Sequence, residues 1–313
     1  MVDSFGTHGA RYVSAVLDKW LLTAELNLNW TNAAPANRLL VLGSTGKVGR
    51  LLQTSAELNP SLLGPWSPIW SGRSLATPVD LQLDADTDLD SLPKAGAVLA
   101  LWGTVPGSGD FSENTLLADR AVDIASVVGA KRVLHCSSSA VYGPSMRAEE
   151  NSAVAPMNAY GVAKIEMEQR LINRNKGVGA PFSIAMRLAN TVGADSLFGA
   201  MKSGQPVTLD SIAVGESPIR SYATPTVIWR AVTALLACQT PPEIINVATA
   251  KPVPMHGLLD AARYPYVWRP APESAVGEVS LDVTLWQRIT GETGLVSPAD
   301  MIAEWRLLQE GTI

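Results

Sequence analysis

Cysteine, histidine and phenylalanine are scarce in this chain of 313 residues, which has two, three and four of them respectively. Two cysteines cannot build a disulfide framework, and Cys136 sits in an apolar run, which fits a reducing, cytoplasmic setting. His8, His135 and His256 show no paired-ligand spacing, so no metal site is expected. Charge is also thin, at 17% of residues, with a net value of −5 and no basic run. A general nucleic-acid binder needs the opposite balance. No apolar run is long enough to span a bilayer, and Asp18, Lys19 and Glu25 interrupt the first apolar residues, so neither a membrane segment nor a secretory leader is expected.

Apolar residues are abundant, at 47%, enough for one large α/β domain with a smaller appendage. Leu39-Leu40-Val41-Leu42 reads as a short strand buried on both faces, as parallel sheets require. Gly43, Gly46 and Gly49 follow at three-residue intervals and lead into an apolar-periodic run. That order suits a tight turn, close approach of a ligand to the backbone, and helix–strand packing. The free amides at the helix start then favour a pyrophosphate. The alternative is a purely structural turn.

Upstream, Val13, Val16, Leu17, Trp20, Leu21 and Ala24 share one face of a helix expected within residues 11–28. It reads as an added helix covering the sheet or a neighbouring subunit, followed by a polar linker at residues 32–37. Downstream, strands are expected near Ile69 and Trp70 and at residues 79–83, 97–101 and 131–136. Helices are expected from the glycine turn to Leu58, over residues 112–128, and from Tyr160 to Asn173. This alternation predicts a Rossmann-type doubly wound parallel sheet with ligands at the carboxyl ends of its strands. After the second strand, the slot that ordinarily carries a ribose-binding acid holds Ser71-Gly72-Arg73-Ser74. Arg73 suits a 2′-phosphate and leans the choice toward NADP over NAD; its alternative is a solvated surface arginine.

The fifth strand runs into Ser137-Ser138-Ser139, and Tyr160 and Lys164 follow at i, i+4 on one helical face. A lysine ammonium beside a phenol is expected to lower the tyrosine pKa toward neutrality. Such a tyrosine can exchange a proton with a substrate hydroxyl while hydride moves to or from a nicotinamide, with a nearby serine holding the same oxygen.

With these three motifs in order, the chain from about Arg38 onward resembles the extended short-chain dehydrogenase/reductase family, in its NAD-dependent epimerase/dehydratase group. The resemblance implies that Gly43, Gly46 and Gly49, with Thr45, Lys47 and Val48 between them, hold the pyrophosphate. It implies that Asp84 and Ala85 meet the adenine, that Leu101, Trp102 and Gly103 line the cofactor cleft, and that Asn114 occupies the family's asparagine position in the preceding helix. Ser138, Tyr160 and Lys164 match the catalytic serine, general acid/base and tuning lysine, with Lys164 also on the nicotinamide ribose. Asn190 and Arg220 match groups that contact a substrate diphosphate, Arg220 having a structural ion pair as its alternative. Three regions are implied: an arm and linker at residues 1–37, a NAD(P)-binding domain at 38–185, and a mostly substrate-binding C-terminal lobe with late sheet strands at 186–313.

Two departures narrow the chemistry. Ser139 and Ala140 stand where sugar-nucleotide dehydratases carry an Asp-Glu pair, and neither can supply the protons for water loss. The substrate lobe is short, which suits a smaller substrate. The expectation is an NAD(P)-dependent oxidoreductase acting at a secondary hydroxyl or ketone of a sugar or sugar nucleotide in an epimerase-like reaction. An NADP-dependent dehydrogenase or reductase of a smaller hydroxy or keto compound is the alternative, and a non-catalytic dinucleotide sensor a second one. A homodimer packed through the tyrosine helix and the helix before it is expected.

Overall fold

A computed structural model describes residues 29–75, 79–84, 87–107 and 109–310. The helix expected at residues 11–28 therefore lies outside the described residues, as does Ala85. A single turn, α1 (Asn29–Asn32), leads into β1 (Arg38–Leu42), α2 (Lys47–Leu58), β2 (Ser67–Gly72), β3 (Leu81–Gln82) and β4 (Ala97–Ala100). Then come α3 (Glu113–Val128), β5 (Arg132–Ser138), β6 (Ser145–Ala148), α4 (Ala159–Asn175), β7 (Phe182–Leu188) and β8 (Asn190–Thr191). The C-terminal part holds α5 (Ser196–Met201), β9 (Val207–Ser211), β10 (Ile219–Arg220), β11 (Tyr222–Ala223), α6 (Pro225–Ala237) and β12 (Ile244–Val247). It ends with β13 (Val253–Pro254), α7 (Met255–Ala262), β14 (Tyr266–Pro270), β15 (Glu278–Leu281), α8 (Thr284–Thr290) and α9 (Pro298–Glu310).

The main sheet has seven parallel strands in the order β12-β7-β5-β4-β1-β2-β3. β1 shows why its sequence is apolar throughout: Leu39 and Val41 join one core cluster, Leu40 and Leu42 the other, and all four are fully buried. Alternate side chains of a strand point to opposite faces, and helices cover both faces here. The chain moves outward from β1 to β3 and then returns to β4 on the other side of β1. That reversal makes the carboxyl ends of β1 and β4 the switch point, where open parallel sheets bind ligands.

The expected strand at residues 79–83 is shorter than its apolar pattern suggested, because only Leu81 and Gln82 pair with β2. β7 runs through the boundary expected at residues 185/186, and β12 returns to pair with it. A second sheet, β13-β10-β15-β6, gathers C-terminal segments around the loop that follows β5.

A buried polar network joins these parts. Arg187 on β7 donates to both carboxylate oxygens of Glu168 on α4, at 3.0 and 2.7 Å. Ser137 on β5 donates to the same carboxylate at 2.5 Å. Arg187 also donates to the Tyr142 hydroxyl at 2.7 Å, which in turn donates to Asn246 on β12 at 2.8 Å. Asn246 Nδ2 then donates to the carbonyls of Ala148 and Asp282. Removing one partner of such a pair strands a charge in the core, which costs about 3–5 kcal/mol. Arg187→Met is expected to lower the free energy of unfolding by about that amount in urea titrations. A loss below about 1 kcal/mol, the range of surface ion pairs, would show that the network carries little of the fold.

Candidate active site

The glycine turn is built as its spacing predicts. Gly43 has a φ of +80°, and a Cβ there would lie 2.7 Å from the backbone nitrogen of Trp102. A side chain is therefore excluded where the ends of β1 and β4 meet. A Cβ on Gly49 would fall 2.4 Å from the Ser44 carbonyl oxygen, so only glycine lets α2 start this close to the turn. Gly46 differs: its nearest neighbour would be the Gly43 carbonyl oxygen at 3.4 Å. A side chain there would meet an ordinary contact rather than a collision. No side chain caps α2, and no acid occupies its first turn. The helix start thus presents amides and a positive dipole end with no internal anion to satisfy them, a setting that fits a pyrophosphate. Ser44 and Ser71 brace the turn, the Ser44 hydroxyl donating to Ser71 O and the Ser71 hydroxyl to Val41 O, each at 2.8 Å.

Thr45 stands beside the turn, within contact of Gly72 at the end of β2. Lys47 is exposed and Val48 packs partly on the core. Arg73 is exposed just past β2, and its carbonyl accepts from Gln82. Asp84 follows β3, with its carboxylate accepting from Thr87 at 2.8 Å and Gln82 at 3.1 Å. Leu101 extends the β4 pairing through its amide, which donates to Leu42 O at 2.9 Å.

Gly103, Asn114 and Lys164 converge. A Cβ on Gly103, whose φ is +150°, would lie 2.7 Å from Asn114 Oδ1 and 3.4 Å from Lys164 Nζ. Asn114 Nδ2 is held by Thr104 O at 3.1 Å and Phe111 O at 3.0 Å. Its Oδ1 is buried with no protein partner among the described residues, as is Trp102 Nε1. Buried polar atoms seldom stay unpaired. Asn114 Oδ1, beside Gly103 and Lys164, is therefore free to meet a polar ligand.

α4 carries Tyr160 and Lys164 to the end of β5. Asn158 caps the helix by accepting from Gly161 N at 2.9 Å. A Cβ on Gly161 would sit 2.5 Å from Ala140 O, so glycine here lets the helix press directly on the serine turn. The Ser138 hydroxyl accepts from Ala140 N at 3.2 Å and is also a hydrogen-bond partner of the Tyr160 phenol. Phe111 meets the Tyr160 ring edge-on at 5.8 Å. The serine, tyrosine and lysine are therefore together.

One expectation needs correction. The Tyr160 pKa is not lowered toward neutrality but raised above that of a free phenol. Burial is the main cause, the neighbouring Cys136 adds to it, and the Ser138 hydrogen bond only partly opposes it. Lys164 does not face the phenol oxygen. Its ammonium donates to Cys136 O at 2.8 Å and lies 5.7 Å from the centre of the Tyr160 ring. Burial also lowers the Lys164 pKa. The adjacent His135 is buried, with its pKa pushed down to about 3, so no second cation competes with Lys164. The Cys136 carbonyl, His135, Phe111 and Gly161 were not identified from sequence. Gly161 directly follows Tyr160, but only the approach of Ala140 reveals its purpose.

The two residues matched to a diphosphate have protein partners. Asn190 Nδ2 donates to Asp195 Oδ2 at 2.9 Å. The Arg220 guanidinium donates to the carbonyls of Ile219 at 2.7 Å and Val276 at 2.9 Å, and to Gly277 O at 3.4 Å. A cleft of about 530 Å³ opens between the segment after the serine turn and residues 273–278; Met146, Met157, Glu273 and Glu278 line it, and no lining residue is basic. Among the described residues, no group of His, Cys, Asp and Glu side chains could hold a metal ion.

With this geometry in place, the sequence matches the NAD-dependent epimerase/dehydratase family over residues 39–248. The chain belongs to that family and is an enzyme of the extended short-chain dehydrogenase/reductase type. No curated protein matches it in sequence. Among solved structures it is similar to MoeE5 in complex with UDP-glucuronic acid and NAD, at 19% identity and a TM-score of 0.69, covering 88% of this chain and 100% of that one. It is similar to UDP-glucuronic acid 4-epimerase from Bacillus cereus, at 16% identity and a TM-score of 0.68, over 87% and 99% of the two chains. A third likeness is UDP-glucose 4-epimerase from Thermotoga maritima, at 18% identity and 0.67, over 88% and 100%.

Gly103→Ala places a methyl group against Asn114 Oδ1, and overpacking of this kind costs about 1–3 kcal/mol. The variant is expected to bind NAD or NADP about tenfold or more weakly by calorimetry. Unchanged affinity would show that the Gly103–Asn114 contact does not shape the cofactor cleft.

Proposed function

We propose that the protein uses NAD or NADP to move hydride at a secondary hydroxyl or ketone of a sugar or sugar nucleotide, in an epimerase-like reaction. The convergence of Ser138, Tyr160 and Lys164 at the end of β5, next to the switch point, carries this reading. Gly43, Thr45, Gly46, Lys47, Val48 and Gly49 would hold the dinucleotide's pyrophosphate. Asp84 would stand near the adenine, Leu101, Trp102, Gly103 and Asn114 would line the cleft, and Lys164 would reach the nicotinamide ribose. The nicotinamide supplies a carbon that accepts or returns hydride. Tyr160 moves the proton, Ser138 holds the reacting oxygen, and Lys164 orients the ensemble from its anchor on Cys136 O. Arg73 favours NADP, whereas MoeE5 and the Bacillus cereus epimerase are complexes with NAD.

A raised phenol pKa has a direction for chemistry. Tyr160 stays protonated through neutral and mildly alkaline pH, so it is ready to protonate a ketone oxygen as hydride arrives. Oxidation of an alcohol needs the phenolate, and bound oxidised nicotinamide, being cationic, favours it.

A second reading, hydride transfer on a smaller hydroxy or keto compound, is favoured by the engagement of both Asn190 and Arg220 and by the cleft with Met146, Met157 and two glutamates. A diphosphate carries negative charge and would need partners that these residues already give to the protein itself. Release of the dinucleotide on denaturation separates the readings. Stoichiometric NAD or NADH points to an epimerase that keeps its cofactor through turnover. An empty protein that binds NADP more tightly than NAD points to an exchanging reductase.

Tyr160→Phe is expected to lower turnover about 10²–10⁴-fold, the range for a general acid. Full biological effect with this variant would instead support a dinucleotide sensor. We also read the protein as a cytoplasmic homodimer. Cys136 and Cys238 are unpaired thiols, and Leu116 on α3 and Val162 on α4 leave 67% and 44% of their surface exposed. No described helix is long and apolar enough to cross a membrane. Light scattering at micromolar concentration is expected to give twice the chain mass; a monomer mass would reject the dimer.

A further inference from the structure

The loop after β7 links Asn190 on β8 to the face of α2 that follows the glycine turn. Asp195 Oδ1 accepts from Phe198 N at 3.0 Å, while its Oδ2 accepts from Asn190 Nδ2 at 2.9 Å. Asn190 pairs in register with Tyr222, which carries the neighbouring phenol. From the other side, Lys47 in the first turn of α2 acts on the Asp195 carboxylate. The loop also rests on α2: a Cβ at Gly193 would lie 3.2 Å from Leu51 and 3.1 Å from Trp305. Lys202 secures it by donating to Gly193 O at 3.2 Å and shares this seam with Lys47 and Arg50.

We propose that Asp195 is a positioning residue that couples dinucleotide binding at the glycine turn to the freedom of the Asn190 amide on the substrate side. This inference rests on the glycine turn being the dinucleotide site. Lys47 lies one turn before Leu51 on the face of α2 against which the loop rests, so a dinucleotide bound at the glycine turn brings negative charge toward a carboxylate that interacts with the same cation. The groups facing Asp195 are Lys47 from α2, Asn190 from β8, Tyr222 from β11 and the amides opening α5. Lys202 and Arg50 add positive charge near Lys47.

The sign follows from linkage. Burial holds Asp195 at a pKa of about 6, above an ordinary aspartate, against the opposing amides, Asn190 and Lys47. Added negative charge raises it further, so binding takes up protons near pH 6 and is tighter at lower pH. A protonated Asp195 accepts less strongly from Asn190, which frees that amide for a substrate oxygen.

The test is calorimetry of NAD binding to the full-length protein, from about pH 5.5 to 7.5, in buffers of different ionisation enthalpy. NAD is the probe because its diphosphate does not titrate there, unlike the 2′-phosphate of NADP. The expected result is fractional proton uptake with a Kd about three- to tenfold tighter at pH 5.5 than at 7.5. Asp195→Asn should abolish both effects. In Lys47→Met the uptake maximum should move to higher pH, since Asp195 loses its cation. Wild-type binding without proton uptake, or uptake that persists in Asp195→Asn, overturns the coupling. Failure to bind either NAD or NADP overturns the dinucleotide reading itself, and the coupling with it.

Discussion

The guanidinium of Arg187 lies at the centre of this molecule. Four of its contacts come from segments far apart in sequence: the Glu168 carboxylate twice, the Tyr142 hydroxyl and the Glu150 carbonyl. A cation buried this deeply is tolerated only when its hydrogen bonds are met. The fold meets them by bringing α4, the serine turn and β7 to one point. Ser137 completes the set through Glu168, and Asn246 extends it to β12 and the second sheet. α4 is thereby held from inside, one turn below Lys164. The position of the active-site helix is a consequence of satisfying a buried charge.

Close backbone approach is the second constraint. Gly43, Gly49 and Gly161 stand where a methyl group would collide with backbone atoms of another segment, and each of these contacts brings a different part of the site inward. Gly43 brings β1 to β4, Gly49 brings α2 to its own turn, and Gly161 brings the tyrosine helix to the serine turn. Gly46 is not packed in this way, since a methyl group there would make only an ordinary contact with the Gly43 carbonyl oxygen at 3.4 Å.

Electrostatics at the site follow from burial more than from spacing. The i, i+4 relation placed Lys164 and Tyr160 on one face, as helical geometry requires. It could not show that the buried ammonium would donate to the Cys136 carbonyl at 2.8 Å, or that burial would dominate the ionisation of the phenol. The phenol is left in a desolvated pocket with a serine partner, and its protonated form is favoured. Arg220 illustrates the same point: an arginine at a motif position spends its donors on the main-chain carbonyls around it.

Local pattern alone determined the strand of four apolar residues, the glycine turn, the tyrosine–lysine face and the alternation of strand and helix. These depend on periods of two and 3.6 residues and on the conformational range of glycine, all of which operate over a few neighbours. Tertiary structure decided what contacts between distant segments decide. It shortened β3 to two paired residues, returned β12 to the main sheet, gave Lys164 a carbonyl as its partner and bound Asn190 to Asp195. Which donor meets which acceptor depends on distance in space and on the desolvation that packing imposes, and neither is written in the spacing of residues along the chain.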